Sequence, residues 1–367
     1  MTPDKLPVLV LYGGKSSEHE ISILSARFVV GALDRTRFEP VPVGIARSGR
    51  WHLQTEAALL GGPADARSVR IDESGPEVWL GPGGLRLAGG GERPLGIAFP
   101  VLHGPYGEDG TVQGLFEVAG LAYVGAGVLG SAVSMDKDVQ KRLFEHAELP
   151  VVPWRAFRAH DWHHARERCL EQCEDELGLP AFVKPARLGS SVGVRRATDH
   201  DGLVAAIEHA CAFDTKVIVE RALGRPREIE VAILGNEDPM ASSPGEIGVK
   251  HADGFYSYAA KYLDPDGAEL CIPARLYATE ATSVQLLALR AFRALGMEGM
   301  ARVDMFLDAD RNVWLNEVNA IPGMTSISMF PRLWEISGYP PQALVSRLVE
   351  LGLERHRARA ALRIDEG

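Results

Sequence analysis

Apolar residues fall in short runs along this chain, some unbroken and some alternating, separated by clusters of glycine, proline and charge. Residues 6–12 form an uncharged run that stops at Gly13-Gly14 and predict a strand buried on both faces. Apolar positions then recur at helical spacing over 22–33. The order of strand, glycine-rich loop and helix returns at 97–102, 103–110 and 112–119. Residues 1–133 are therefore expected to form a doubly wound α/β domain on a parallel sheet, with functional loops at the C-terminal ends of the strands. Between the two units, residues 47–94 are rich in Gly and Pro and alternate only briefly, at 78–80 and 85–87, which predicts an excursion of hairpins and loops.

From Met135 the pattern turns helical, with a charged, cysteine-bearing helix over 162–177, strands at 181–185 and 216–220, and a helix at 203–211. This makes 134–221 a central α+β domain. A third α+β domain, 222–367, is expected to hold a strand at 228–234, helices at 278–295 and near 342–356, and a polar loop at about 242–265. Long loops without their own secondary structure are usually lids or disordered. Within 301–320, two alternating runs flank the turn-rich Asp308-Ala309-Asp310-Arg311-Asn312, as in a β-hairpin. In a symmetric register Asp304 faces Glu317 and Arg302 faces Asn319, and the period of two sends all four from one face. A bulge would break that register.

At 367 residues the chain exceeds what one hydrophobic core usually supports, in keeping with several domains. With 39 Lys and Arg against 49 Asp and Glu, the net charge of −10 argues against coating nucleic acid and leaves anionic substrates to local clusters of basic residues. The start of the chain lacks the basic and apolar regions of a signal peptide, and no apolar run approaches the roughly 18 residues that span a bilayer. A cytoplasmic location and no membrane partner are expected. Cys169 and Cys173 sit four apart on a predicted helix while Cys211 and Cys271 stand alone, which suits reduced structural thiols.

The hairpin carries the strongest chemistry. Carboxylates directly opposed at about 4.5–5.5 Å between Cβ atoms repel unless a cation lies between them. Hard oxygen ligands of this kind suit Mg²⁺, above all Mg²⁺ carrying nucleotide phosphates. A solvated polar face is the alternative. Two glycine motifs mislead. Gly125-Ala126-Gly127-Val128-Leu129-Gly130 matches the dinucleotide fingerprint but lacks a second strand ending in an acid, and Gly14-Lys15-Ser16 has Leu9 where a P-loop needs glycine. Arg187-Leu188-Gly189-Ser190-Ser191-Val192-Gly193 is better placed. It follows the strand bearing Lys184 and offers small residues whose N–H groups can approach phosphate, with Lys137 adding charge; an ordinary Gly-Ser hairpin loop is the alternative.

Together these pieces resemble the ATP-grasp ligases, and more narrowly the D-alanine–D-alanine ligases. The resemblance covers nearly the whole chain: residues 13–22 at the first strand end, His103-Gly104-Pro105-Tyr106-Gly107-Glu108-Asp109-Gly110, Ser134-Met135-Asp136-Lys137, and Val183-Lys184-Pro185 with the Gly-Ser loop. It continues through Arg227-Glu228, Tyr256 to Tyr262, the acidic hairpin, and Asn319 to Ser328. Departures are small: Ala320 stands where threonine is frequent, Arg225-Pro226-Arg227 looks one residue longer, and Ala259 replaces a commonly charged position.

The resemblance implies ATP as substrate and two Mg²⁺ (or Mn²⁺) ions on Asp304, Glu317 and Asn319, with Glu317 bridging. It implies Lys137, Lys184 and Lys261 at the phosphates, Ser190 and Ser191 covering them, Glu220, Arg221 and Leu223 at the adenine, Glu228 at the ribose, and Asn316 beside the nucleotide. Glu18 and His103 would meet the ammonium of the first D-alanine, Arg302 and the Gly323 N–H would form an oxyanion hole, and Ser328 with Met329 would hold the second carboxylate. A triad of Glu18, Ser190 and Tyr262 would close a lid, with Tyr262 favouring a dipeptide over a depsipeptide ending in D-lactate. A homodimer making a peptidoglycan precursor is also implied. A D-alanine–D-lactate ligase or another carboxylate–amine ligase is the first alternative. A catalytically silent nucleotide-binding regulator and a nicotinamide oxidoreductase are the others.

Overall fold

The computed structural model describes residues 5–63, 68–249 and 268–363. The first part of the chain runs β1 (Leu6–Gly13), α1 (His19–Ala32), β2 (Phe38–Ile45), β3 (Trp51–Leu53), α2 (Glu56–Gly61), β4 (Glu77–Gly81), β5 (Gly84–Leu87), β6 (Glu92–Pro94), β7 (Ile97–Val101), α3 (Thr111–Val118) and α4 (Val128–Met135). Its seven strands lie in the order β6-β5-β4-β3-β2-β1-β7. Only β2, β1 and β7 are parallel. The expected hairpins over 47–94 are present as β3 to β6, and they extend the same sheet by antiparallel pairing. The alternation at 78–80 and 85–87 falls in β4 and β5, whereas β3 and β6, three residues each, carry almost none.

Burial on both faces explains the continuous apolar run of β1. Val8, Val10 and Tyr12 belong to one core while Leu9 and Leu11 belong to the core on the opposite face. Helix α1 starts three residues earlier than its apolar spacing predicts, because Ser22 is an interior residue and not a boundary. Its buried Oγ accepts the Gly13 N–H at 2.7 Å and donates to the Val101 carbonyl, tying together the ends of β1 and β7.

The central part contains α5 (Lys137–His146), β8 (Trp154–Arg158), α6 (Ala159–His164), α7 (Arg166–Glu176), β9 (Ala181–Pro185), β10 (Arg195–Ala197), α8 (His200–Cys211) and β11 (Lys216–Arg221). Its antiparallel sheet has the order β10-β9-β11-β8. The helix expected over 162–177 is two helices, because Ala165 leaves helical geometry (φ −143°, ψ 44°) and lets Trp162 stack on Phe157. Cys169 and Cys173 are buried free thiols in that core.

The last part holds β12 (Arg227–Gly235), β13 (Met240–Ala241), β14 (Gly245–Val249), β15 (Ala268–Cys271), α9 (Ala278–Ala294), β16 (Gly299–Leu307), β17 (Val313–Asn319), α10 (Met329–Ile336) and α11 (Pro341–Ala360). The sheet order is β15-β14-β12-β16-β17, with β13 beside β12. Within the expected loop at 242–265, residues 242–244 are irregular and 245–249 form the strand β14; 250–265 lie outside the described residues. Helix α11 returns to the first sheet, where the buried Arg355 donates to the Tyr123 carbonyl at 2.9 Å and Arg359 pairs with Glu117 at 2.6 Å. One apolar core accordingly runs through the first and last parts, whereas the central sheet has its own.

Candidate active site

The hairpin of β16 and β17 pairs Arg302 with Asn319, Val303 with Val318 and Asp304 with Glu317, as the symmetric register predicts. The register then slips, because Met305 faces Leu315 and Asn316 is left over as a bulge. Bulging turns Asn316 as well as Glu317 toward one cavity. Val303, Met305, Leu315 and Val318 point the other way into the core. Strand β12 adds Glu230 opposite Asp304, so a row of Glu230, Asp304 and Glu317 crosses three strands.

Such a row is tolerable only with cations nearby. Arg302 grips Asp304 through Nε and Nη2, both at 2.7 Å, and its Nε lies 3.1 Å from Glu230. Asn319 donates to Asp304 at 2.9 Å. Burial works against the charge of Arg302, but Asp304 and Glu230 hold its pKa well above the usual guanidinium range. Lys137, at the start of α5, reaches Glu317 at 3.1 Å and the Leu188 carbonyl at 2.9 Å.

Across the cavity, β9 and β11 present Lys184 and Glu220 on one face, since Val183, Val217 and Val219 take the other. Lys184 pairs with Glu220 and lies 3.4 Å from the Asn316 amide oxygen. Behind them Lys141, wholly buried, sits 2.9 Å from the second Glu220 oxygen. Burial would raise the pKa of Glu220, yet Lys141 and Lys184 bring it down to about 2. Lys184 is raised by Glu220 against the effect of burial, and Lys141 is lowered by burial.

The resulting cavity of about 490 Å³ brings together twelve expected site residues: Lys137, Lys184, Ser190, Ser191, Glu220, Arg221, Leu223, Glu228, Arg302, Asp304, Asn316 and Glu317. Val152, Phe182, Ile247 and Phe306 give it apolar walls. Two side chains are turned from the expected direction. Arg221 donates to the Leu177 and Glu176 carbonyls at 2.9 and 3.0 Å, because those C-terminal carbonyls of α7 lack helical partners. The Glu220 carboxylate is taken by two lysines, Lys141 and Lys184.

A second group lies beside the cavity. Ser190, in left-handed backbone with Ser191 (φ 52° and 56°), donates from its Oγ to Glu18. Lys261 and Tyr262 are outside the described residues. His103 meets the Ile321 carbonyl at 3.1 Å through Nδ1 and Ser25 at 3.3 Å through Nε2. Burial lowers its pKa more than Glu18 raises it. Glu108 accepts the Gly104 N–H at 2.6 Å and the Ile321 N–H at 3.2 Å, and burial followed by the charge of Glu18 pushes it up to about 8. These residues fix the turn that carries Gly323. At Gly323 a Cβ would lie 3.0 Å from the Ser328 Oγ, which in turn accepts the Thr325 N–H at 3.1 Å. The buried Met329 side chain packs into the core against Gly245, so only its backbone at the start of α10 is available to a carboxylate.

Sequence reasoning missed Lys141, Glu230 and Glu108 as members of the site. A signal existed for the first two: Lys141 is one helical turn beyond Lys137, and Glu230 is two along the strand from Glu228. Among the described residues no three acidic, histidine or cysteine side chains converge into an all-protein metal cage. Two facing carboxylates with neighbouring amides nevertheless fit Mg²⁺, which binds through one or two carboxylates and completes its shell with water and phosphate oxygens.

Two antiparallel sheets closing on a cavity lined by lysines and carboxylates, beside a sheet with a parallel centre, make up the ATP-grasp class of ligases. Residues 7–126 match the family model for the D-ala D-ala ligase N-terminus and 143–350 that for the C-terminus. The chain is 48% identical to D-alanine–D-alanine ligase A of Bradyrhizobium diazoefficiens, covering 98% of each. Among solved structures, the D-alanine-D-alanine ligase of Coxiella burnetii superposes with a TM-score of 0.84 at 34% identity, covering 97% of each chain. The VanG D-Ala:D-Ser ligase of Enterococcus faecalis gives 0.85 at 32%, over 95% of this chain and 100% of the other. The chain belongs to the D-Ala–D-Ala ligase family.

Proposed function

We propose that this chain is an ATP-dependent ligase that joins two D-alanine molecules through a D-alanyl phosphate, releasing ADP and phosphate, and so supplies a cell-wall precursor. The observation that carries the reading is the cavity in which Lys137 and Lys184 flank the facing Asp304 and Glu317. Family membership supports the substrate.

Lys137, Lys184 and Lys261 bind the phosphates, Ser190 and Ser191 cover them, and Glu228 takes the ribose. The base lies between Val152, Phe182, Leu223 and Phe306, beside the Glu220 and Arg221 backbone. Two Mg²⁺ or Mn²⁺ ions on Asp304, Glu317 and Asn319 would supply charge neutralisation at the phosphates. Glu18 with neutral His103 meets the ammonium of the first D-alanine, and that D-alanine's carboxylate attacks the γ-phosphorus of ATP as ADP leaves. The second D-alanine, held at Ser328 and the Met329 backbone, loses a proton and attacks the acyl carbon, and phosphate leaves. Arg302 and the Gly323 N–H face the oxyanion of that step, a contact typically worth about 3–4 kcal/mol. Glu18 and Ser190 join the first and central parts, and Tyr262 is proposed to add the lid, keeping water from the acyl phosphate.

The protein is proposed to act as a homodimer in the cytoplasm; no helix among the described residues is long and apolar enough to cross a membrane. The test is mass spectrometry of products from ATP, Mg²⁺ and D-alanine, alone and with D-lactate or D-serine. D-Alanyl-D-alanine with stoichiometric phosphate is expected. Its absence, or dominance of a mixed product, overturns the substrate assignment.

A further inference from the structure

We propose that Lys141 is a positioning residue for nucleotide use: as the fixed counter-ion of Glu220, it lets Lys184 leave that carboxylate for the phosphates of ATP. The inference rests on the reading of Lys184 as a phosphate ligand. Glu220, itself only 3% exposed, has one oxygen 2.9 Å from the Lys141 ammonium and the other paired with Lys184. The two lysines differ in what they face. Lys184 lines the cavity, whereas Lys141 does not and is sealed beneath the Trp154 ring, 5.7 Å from its centroid.

A buried carboxylate stripped of its only cation is costly, because little solvent remains to stabilise the charge. If Lys184 were that only cation, each turn toward a phosphate would strand Glu220. Lys141 removes this penalty, since Glu220 stays neutralised whichever way Lys184 points. Lys184 is also close to the other end of its travel, 3.4 Å from Asn316 on the bulge beside Glu317. The arrangement is thus a shared carboxylate with one permanent and one exchangeable partner.

Calorimetric ATP titration and steady-state kinetics of the full chain test this with Lys184→Met, Lys141→Met and the double variant Lys141→Met/Glu220→Gln. Lys141→Met is expected to weaken ATP binding on the order of 10- to 100-fold, with the KM for D-alanine unchanged. The double variant should recover ATP affinity to within a few-fold of the parent, because no carboxylate is left to hold Lys184 back. A role in packing alone gives a double variant no better than the single one, and that result overturns the proposal. So does unchanged ATP affinity in Lys141→Met when Lys184→Met has lost it. If Lys141→Met does not fold, the double variant still decides: Lys184-dependent ATP binding near the parental affinity supports the proposal, and lost binding refutes it. Unchanged affinity in Lys184→Met would instead remove the phosphate role of Lys184 and this inference with it.

Discussion

Asp304→Asn probes the centre of the hairpin with the smallest change of shape. Asp304 accepts two bonds from Arg302 at 2.7 Å and one from Asn319 at 2.9 Å, and its side chain is 13% exposed, so solvent screens little of this. An amide keeps one acceptor and turns the other position into a donor facing donors. Each bond to a charged group is worth about 1.5–3 kcal/mol, and Arg302 retains Glu230 at 3.1 Å, which brings the expected loss of stability to about 3 kcal/mol. The effect on turnover should be far larger. Losing one of the two carboxylates proposed to hold Mg²⁺ is expected to lower kcat by roughly 10³-fold or more and to raise the Mg²⁺ requirement about 10- to 100-fold. Coupled assay of ADP release across a Mg²⁺ titration, at a temperature where circular dichroism shows the variant folded, separates the two effects. Near-parental turnover with an unchanged Mg²⁺ requirement would refute the assignment of Asp304.

Three further outcomes follow from the geometry. Glu220 is held at about 2 against an ordinary 4.5, which at about 1.36 kcal/mol per unit gives about 3 kcal/mol of stability present above pH 4.5 and lost as pH falls toward 2; acid unfolding curves should lose that increment in Lys141→Met/Glu220→Gln. Glu108 has the opposite sign. Its value is raised to about 8, so its contribution is full below pH 4.5 and is lost as pH rises through 8, and urea midpoints of Glu108→Gln should depend less on pH between 5 and 9 than those of the parent. In Gly352→Ala a new Cβ would lie 2.6 Å from the Tyr123 carbonyl, so the seat of α11 on the first sheet should weaken by about 1–3 kcal/mol, seen as a lower melting temperature; an unchanged one would show that the two can part freely.

Much of this was legible in the sequence because it depends on period and on opposed charges. The face shared by Arg302, Asp304, Glu317 and Asn319 follows from alternation along two strands, and the buried β1 from a run without charge. Other features depend on partners distant in sequence. Ser22 looks like a helix start, yet Val101 and Gly13 make it an interior residue. The slip at Asn316 leaves no mark in the local pattern, since polar residues at 316 and 317 suit either register. Arg221 and Met329 sit at expected positions, but the carbonyls of α7 and the core beneath α10 redirect their side chains. Lys141 reads as a surface lysine until Glu220 and Trp154 close over it.

Anomalous diffraction from crystals grown with ADP and Mn²⁺ locates the divalent ions and the phosphates together. Metal peaks between Asp304 and Glu317, with the β-phosphate against Lys137 and Lys184, are the predicted result. Nucleotide bound elsewhere, or the two carboxylates turned apart with no metal between them, would contradict the account.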